Sequence, residues 1–267
     1  MTFARINGTT LHYRDRPVSG RPTIIFVNSL GTDLRIWSAV EQLLAEDYGI
    51  VLYDQRGHGL SELGDAPHAI ETHAADLAGL LDHLRIESII VCGLSIGGVI
   101  AQCLYGTRPE LIDGLILCDT AAKIGTSDIW NGRITAASSK GIESFADGVM
   151  EKWFTPDFHK NRSEELAGYR TMLVRQSSAG YAAACAAIRD ADFRADTASI
   201  DVPTLCIVGD QDGSTPPEFV EAFARSIPGA RFEVIAEAGH IPCVEQPKKL
   251  ADLIRQFIGE DMRRRTR

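Results

Sequence analysis

A GLSIG run at residues 93–97 follows an apolar, β-branched stretch at residues 89–92, which is typical of a buried strand. A predicted helix begins within the run and covers residues 96–105. A serine flanked in this way by glycines predicts a tight strand-to-helix turn, because small residues keep side chains clear of the neighbouring backbone. Such a turn exposes a serine hydroxyl at the end of a buried strand. The run therefore predicts Ser95 as a nucleophile, against the alternative of a structural glycine turn.

Short apolar runs alternate with helix-period stretches along the chain, which is typical of an α/β fold with a mostly parallel sheet flanked by helices. The predicted strands cover residues 9–14, 23–27, 50–53, 89–92, 115–118, 204–208 and 232–235. Apolar residues at helical spacing mark helices near residues 70–84, 219–227 and 250–258. With 45% apolar residues, the chain can bury a sizeable core.

The alternation of strands and helices is interrupted at residues 121–199, which contain no clear buried strand. Apolar spacing predicts helices at about residues 130–138, 142–154, 164–177 and 181–189. We therefore expect a core domain made of residues 1–120 and 200–267, with a helical cap inserted at residues 121–199. This insertion is called the cap segment below.

Charge and composition disfavour nucleic acids and membranes as binding partners of this protein. The net charge of −9 disfavours binding of nucleic acid by the bulk surface, and no apolar run is long enough to span a membrane. Six cysteines without a CxxC pair, and an N-terminus unlike a signal peptide, predict reduced thiols in a cytoplasmic protein. The basic tail at residues 261–267 is predicted to be a solvated terminus. The sequence makes no prediction of the oligomeric state.

A serine nucleophile needs a base, and His240 lies in the expected place. It follows the last predicted strand and precedes the last predicted helix, which matches the chain order serine, acid, histidine. His58 is the rival base, but it follows an earlier strand and is interpreted as a loop-stabilising residue.

The acid that orients this histidine is expected in the loop after residues 204–208. Asp212 lies further out on that loop and is favoured, whereas Asp210 is expected to brace the turn. Asp119, after the strand at residues 115–118, is a third candidate.

Two backbone amides should stabilise the oxyanion of a tetrahedral intermediate. The residue after the nucleophile, Ile96, is expected to supply one of them, and Leu30 in the loop after residues 23–27 the other. That loop opens with Asn28 and Ser29 instead of the more usual His-Gly.

Several stretches resemble one family in particular. The segment YDQRGHGLS at residues 53–61 and the GLSIGG run at residues 93–98 resemble the α/β-hydrolase superfamily, whereas the loop at residues 28–31 resembles a narrower family within it. The cap stretches at residues 119–126, 130–134 and 180–190 resemble the 3-oxoadipate enol-lactonase family, which also has Asn-Ser in the oxyanion loop. The resemblance extends over the whole chain and implies the α/β-hydrolase fold.

The resemblance implies a Ser95–His240–Asp212 triad, no cofactor and no metal, and a small anionic enol-lactone as the substrate, opened in the β-ketoadipate branch of aromatic catabolism. Because such a substrate is an anion, a local cation is expected to hold its acetate arm. Arg133 beside Trp130 is the first candidate, and the others are Arg189, Arg175 and Lys123. Trp130 and Trp153 either line the pocket or belong to the core of the cap segment.

Two other functions stay open at this point. A general carboxylesterase or cofactor-free perhydrolase would keep the triad and lack a cationic clamp. A small-molecule receptor without turnover would reuse the fold, although intact Ser95, Asp212 and His240 argue against it.

Overall fold

The computed structural model describes residues 1–65 and 67–260. The tail at residues 261–267, predicted to be a solvated terminus, lies outside the described residues. None of the described helices combines the length and the apolar character that crossing a membrane requires. All six cysteines are buried free thiols, as predicted.

Eight strands form one sheet, parallel over most of its width. In chain order they are β1 (Thr2–Ile6), β2 (Thr9–Arg16), β3 (Thr23–Val27), β4 (Gly49–Tyr53), β5 (Ile89–Leu94), β6 (Ile112–Cys118), β7 (Thr204–Gly209) and β8 (Arg231–Ile235). Their spatial order is β1-β2-β4-β3-β5-β6-β7-β8. The pairs β1–β2 and β2–β4 are antiparallel, and every pairing from β4 to β8 is parallel. The predicted α/β class with a mostly parallel sheet is confirmed.

The central strands are recognisable in the sequence because they are buried on both faces. Every residue of β4, β5 and β7 is buried, which requires an uninterrupted apolar run. The edge strand β1 was not predicted. Only Ala4 and Ile6 of that strand are buried, so its alternation is too short to stand out.

Helices flank this sheet. They are α1 (Ser38–Leu44), α2 (Ile70–Leu84), α3 (Ile96–Thr107), α4 (Ser127–Lys140), α5 (Ala146–Trp153), α6 (Pro156–Asn161), α7 (Ser163–Val174), α8 (Ser178–Asp190), α9 (Pro217–Arg225), α10 (Pro242–Glu245) and α11 (Pro247–Glu260). α3 follows β5 directly and packs against β5, β6 and α2. The predicted apolar face of α2 is buried, with Leu77, Leu80 and Leu81 fully enclosed.

The cap segment holds α4 to α8, which all lie between β6 and β7. The four predicted helical stretches overlap α4, α5, α7 and α8, although residues 142–145 form a 3-10 turn before α5. α6 was not predicted. Its signals are present, since Thr155 caps the helix and Pro156 occupies the first position. The division of the chain into core and cap domains stays a prediction.

The parallel sheet brings separate parts of the chain together at one edge. Ser95 follows β5, Asp119 follows β6, Asp212 and His240 lie in the loops after β7 and β8, and Leu30 follows β3. The carboxyl ends of parallel strands meet at the same edge of a sheet, where ligands of α/β proteins bind. A site built from these loops therefore follows from the topology.

Candidate active site

Ser95 occupies a strained turn between β5 and α3. Its φ of 58° and ψ of −117° are rare for a residue with a side chain. A Cβ on Gly93 would lie 2.4 Å from the Gly97 carbonyl oxygen, and one on Gly97 would lie 2.3 Å from that of Val27. Both glycines are therefore required by the close approach of the backbone. The predicted strand-turn-helix around Ser95 is present.

Two hydrogen bonds from β6 and its following loop hold this turn. The Ser95 amide donates to the Cys118 carbonyl at 2.9 Å, and Thr120 Oγ1 donates to the Ser95 carbonyl at 2.7 Å. The side chain of Ser95 is therefore presented by a backbone fixed on both sides.

His240 and Asp212 form a buried pair. Nδ1 of His240 donates to Oδ2 of Asp212 at 2.8 Å, and the exposed fractions are 3% and 5%. Oδ2 also accepts from Thr215 Oγ1 at 2.6 Å, and Oδ1 accepts from the amides of Ser214 and Thr215 at 2.7 and 3.1 Å. Burial would raise the pKa of Asp212, but the charge of His240 and these hydrogen bonds outweigh it and lower the pKa. Asp212 is therefore held as a carboxylate beside the imidazole.

The two alternative acids have other contacts. Asp210 Oδ1 accepts from the Ala238 amide at 3.1 Å, which braces the β7 loop against the loop that carries His240. Asp119 is fully buried and accepts from the Gly209 amide at 2.9 Å. Burial and the neighbouring Asp212 raise the pKa of Asp119 well above its usual value. Among the three candidate acids, Asp212 is thus the one that accepts the hydrogen bond from the imidazole.

His58 is buried, and its hydrogen bond is to a residue outside this pair. Its Nδ1 lies 3.3 Å from the Arg56 carbonyl, and burial lowers its pKa. It belongs to a buried region with His68 and His73, whose rings lie 5.5 Å apart in an edge-to-face arrangement. These contacts agree with a role in holding the loop.

The loop after β3 is organised by Asn28. Its Nδ2 donates to the Tyr53 carbonyl at 2.8 Å, its Oδ1 accepts from Trp37 Nε1 at 2.9 Å, and its carbonyl accepts from Gln55 Nε2 at 2.6 Å. Both polar groups of the Asn28 side chain therefore have hydrogen-bond partners. The loop is held in this way although it lacks the more usual His-Gly. The loop places Leu30 on the wall of a cavity that also contains Ser95.

That cavity has a volume of about 150 Å³. Its lining residues come from the sheet edge and from the cap segment: Ser29, Leu30, Ser95, Ile124, Gly125, Ile129, Trp130, Arg133, Val149, Lys152, Trp153, Tyr181, Ser214 and His240. A cavity of this size accommodates one small ring. The structure therefore brings the predicted nucleophile, the predicted base and both cap tryptophans to one small cavity.

Of the four predicted cations, Arg133 alone lines this cavity. It donates to the Tyr181 hydroxyl at 3.2 Å, and its guanidinium lies 4.8 Å from the centre of the Phe145 ring. Within residues 1–65 and 67–260 it forms no ion pair with a carboxylate. Its planar donor group is therefore oriented and available.

The other candidate cations have different surroundings. Arg189 pairs with Asp190 at 2.8 Å, and Lys123 donates to the Ala191 carbonyl and lines a different cavity. Arg175 is absent from the residues that line the cavity at Ser95. Lys152 does line it, although sequence reasoning missed it.

One group of metal-ligand side chains comes together in the described part of the chain. A carboxylate oxygen of Asp119, one of Asp212 and a ring nitrogen of His240 lie within 4.8 Å of one another. Asp212 already accepts four hydrogen bonds, from His240, Ser214 and Thr215. The arrangement fits an acid-base network better than a cation site, because a cation would have to displace these donors.

Comparison with known proteins gives consistent matches. The family model of the alpha/beta hydrolase fold matches residues 22–247. The 3-oxoadipate enol-lactonase 2 of Acinetobacter baylyi is 36% identical over 89% of both chains, and enol-lactonase 1 of the same organism is 33% identical over 94% of both. The crystal structure of the enol-lactonase from Burkholderia xenovorans LB400 matches with a TM-score of 0.94 at 36% identity, over 97% of this chain and 100% of that one.

The fold, the strained serine turn and the buried histidine–aspartate pair thus agree with matches that extend over nearly the whole chain. They identify the protein as a hydrolase. The chain belongs to the 3-oxoadipate enol-lactonase family of the α/β-hydrolase superfamily.

Proposed function

We propose that this protein hydrolyses 3-oxoadipate enol-lactone to 3-oxoadipate, within the β-ketoadipate pathway, with Ser95 as nucleophile, His240 as base and Asp212 as the orienting acid. The observation that carries the proposal is that Arg133 lines the same cavity as Ser95 and His240. In the part of the chain that the structure describes, no carboxylate pairs with this guanidinium. A free guanidinium beside a nucleophile, in a chain of net charge −9, suits a substrate that brings its own carboxylate.

The chemistry proceeds in two halves. Ser95 Oγ attacks the ring carbonyl carbon while His240 takes the hydroxyl proton. The ring carbon–oxygen bond then breaks, and the leaving enolate takes up the proton held by His240, which gives the ketone and returns His240 to its neutral form. His240 next takes a proton from water, the hydroxide attacks the acyl-enzyme, and Ser95 recovers its proton as 3-oxoadipate leaves.

Two parts of the site and the nature of the leaving group lower the barrier in this scheme. The backbone amides of Leu30 and Ile96 donate to the oxyanion that develops on the carbonyl oxygen. Asp212 fixes the tautomer of His240 and stabilises the imidazolium, since it stays ionised beside Nδ1. The enolate is itself a good leaving group because its charge is delocalised.

The cavity supports a small substrate with a charged arm. Its volume of about 150 Å³ suits a single lactone ring, and Trp130 and Trp153 supply apolar walls. Arg133 and Lys152 both line it, so the acetate arm is expected to lie toward the cap segment while the ring carbonyl faces Ser95.

Substrate preference tests this proposal. We expect kcat/KM for the enol-lactone to exceed that for a neutral aryl ester of similar size by on the order of a hundredfold, because only the lactone brings a carboxylate to Arg133. Equal or better turnover of the neutral ester would favour a general carboxylesterase or perhydrolase. A single turnover without regeneration of free enzyme would favour a receptor.

A further inference from the structure

A second buried carboxyl group lies beside the histidine–aspartate pair. Asp119 follows β6, is fully buried and has a φ of 48°. Its Oδ1 accepts from the Gly209 amide at 2.9 Å. Its Oδ2 is buried and has no hydrogen-bond donor in residues 1–65 and 67–260. An unpartnered buried carboxylate oxygen is costly, so this atom requires an explanation.

The groups that surround the Asp119 carboxyl limit which of them can form a hydrogen bond with its unpartnered oxygen. One of its oxygens lies within 4.8 Å of an oxygen of Asp212 and of a ring nitrogen of His240. The buried thiols of Cys118 and Cys243 are close enough to interact electrostatically with Asp119. None of these groups offers Asp119 a cation in direct contact, since the imidazole of His240 is bonded to Asp212.

Two carboxylates this close in a buried site cannot both ionise without a large cost. The donors are unequally divided: Asp212 accepts four hydrogen bonds, whereas Asp119 accepts one from the described residues. In agreement with this division, the pKa of Asp119 is raised by burial and by Asp212, and the pKa of Asp212 is lowered. The proximity of the two carboxyl groups and the unequal division of donors therefore both favour a proton on Asp119 over one on Asp212.

We propose that Asp119 keeps a proton on Oδ2 and donates it to the carboxylate of Asp212, which makes Asp119 a positioning residue for the Asp212–His240 pair. The hydrogen bond satisfies the orphaned oxygen and adds a restraint on the Asp212 side chain to the one from Thr215. Protonation of Asp119 leaves the buried pair of carboxyl groups with a single negative charge. The catalytic meaning of this restraint rests on the proposed function, whereas the protonation itself does not.

Asp119→Asn tests the protonation through stability. An asparagine fits the positive φ, accepts from Gly209 and donates to Asp212 without needing a proton. Folding of the wild type takes up a proton at neutral pH, because the unfolded aspartate is ionised above about pH 4. We expect the unfolding equilibrium constant of the wild type, relative to that of D119N, to rise about tenfold per pH unit between about pH 5 and 8. A ratio that is constant or falls with pH would overturn the proposal.

Two further measurements separate positioning from packing. The infrared spectrum at about pH 8 should contain the carbonyl stretch of a protonated carboxyl group in the wild type, and this band should vanish in D119N. D119N should keep kcat for a neutral aryl ester within about threefold, whereas Asp119→Gly, which tolerates the same φ, should lose roughly tenfold. Absence of the band, or equal losses in both variants, would contradict the proposal. The infrared and stability measurements need no substrate and so remain decisive if the enol-lactone is not turned over.

Discussion

His240 Nδ1 lies 2.8 Å from Asp212 Oδ2, and three further donors from Ser214 and Thr215 fix the same carboxylate. Asp212→Asn would replace an ionised acceptor by an amide and favour the wrong tautomer of His240. We expect kcat to fall by roughly a thousandfold or more, with little change in KM. Asp210→Asn is the matched control, because its remaining oxygen still accepts from Ala238, and it should stay within about threefold of the wild type. The opposite ranking would move the acid to Asp210.

Arg133 is expected to bind the carboxylate of the substrate. Arg133→Ala should raise KM for the enol-lactone by about ten- to a hundredfold, because a charge-assisted, bidentate hydrogen bond is lost. The same variant should change KM for a neutral aryl ester by less than about threefold. Steady-state kinetics on both substrates provide the measurement, and parallel changes would mean that Arg133 only supports the cap segment through Tyr181 and Phe145.

Lys152 lines the same cavity from α5, and its side chain is exposed. In a chain of net charge −9, an exposed cation beside the cavity should attract an anionic substrate through long-range electrostatics. Lys152→Ala should lower kcat/KM for the enol-lactone by a few-fold at low ionic strength, and the loss should shrink as salt is added. Lys152→Arg keeps the charge and is the control. A loss that does not depend on salt would point instead to a direct contact.

Glu245 joins the loop of His240 to the cap segment. Its Oε2 accepts from the Gly239 amide at 2.6 Å, and its Oε1 accepts from Thr155 Oγ1 at 2.7 Å and from the Thr155 amide at 3.0 Å. Thr155→Val removes the hydroxyl, which also caps α6. We expect a loss of about 2 kcal/mol in the free energy of unfolding.

Chemical denaturation measures this loss, and Thr155→Ser, which keeps the hydroxyl, should lose less than about 1 kcal/mol. Equal stability of the valine and serine variants would show that the Thr155 hydroxyl does not stabilise the contact with Glu245.

The buried histidines make stability depend on pH. Burial lowers the pKa of His58 and of His68, and it lowers that of His73 well below the usual value. The unfolded chain therefore binds protons near about pH 6.5 that the folded chain does not, so stability is lost as pH falls below that value. His73→Phe should reduce the number of protons taken up on unfolding between about pH 6.5 and 5 by about one. The slope of the free energy of unfolding against pH, measured by thermal unfolding, gives this number. An unchanged slope would show that His73 does not titrate between the two states.

The parts of this molecule with a strong local signal could be predicted from the sequence. The strands β3, β5 and β7 are continuous apolar runs because both faces are covered, and the turn at Ser95 needs Gly93 and Gly97 for steric reasons. The order along the chain, together with the position of Asp212 far out on its loop, selected Ser95, Asp212 and His240 as the candidate triad, since parallel strands end at one edge. This triad stays a proposal.

Features that depend on packing between distant segments could not be predicted in this way. Lys152 reaches the cavity only because of the way α5 packs, and a charged residue on a helix gives no sign of that. The contact of Glu245 with Thr155 joins residues 90 positions apart. The sequence placed Asp119 among three candidate acids, but its role depends on the burial and the donors that the fold supplies.

The central claim is tested most directly by adding purified protein to 3-oxoadipate enol-lactone and following the loss of the enol-lactone absorbance. We expect catalytic turnover with the wild type and, for Ser95→Ala, a loss of kcat of roughly a thousandfold or more with an unchanged fold. Absence of wild-type turnover, or an S95A variant within about tenfold of the wild type, would contradict the account.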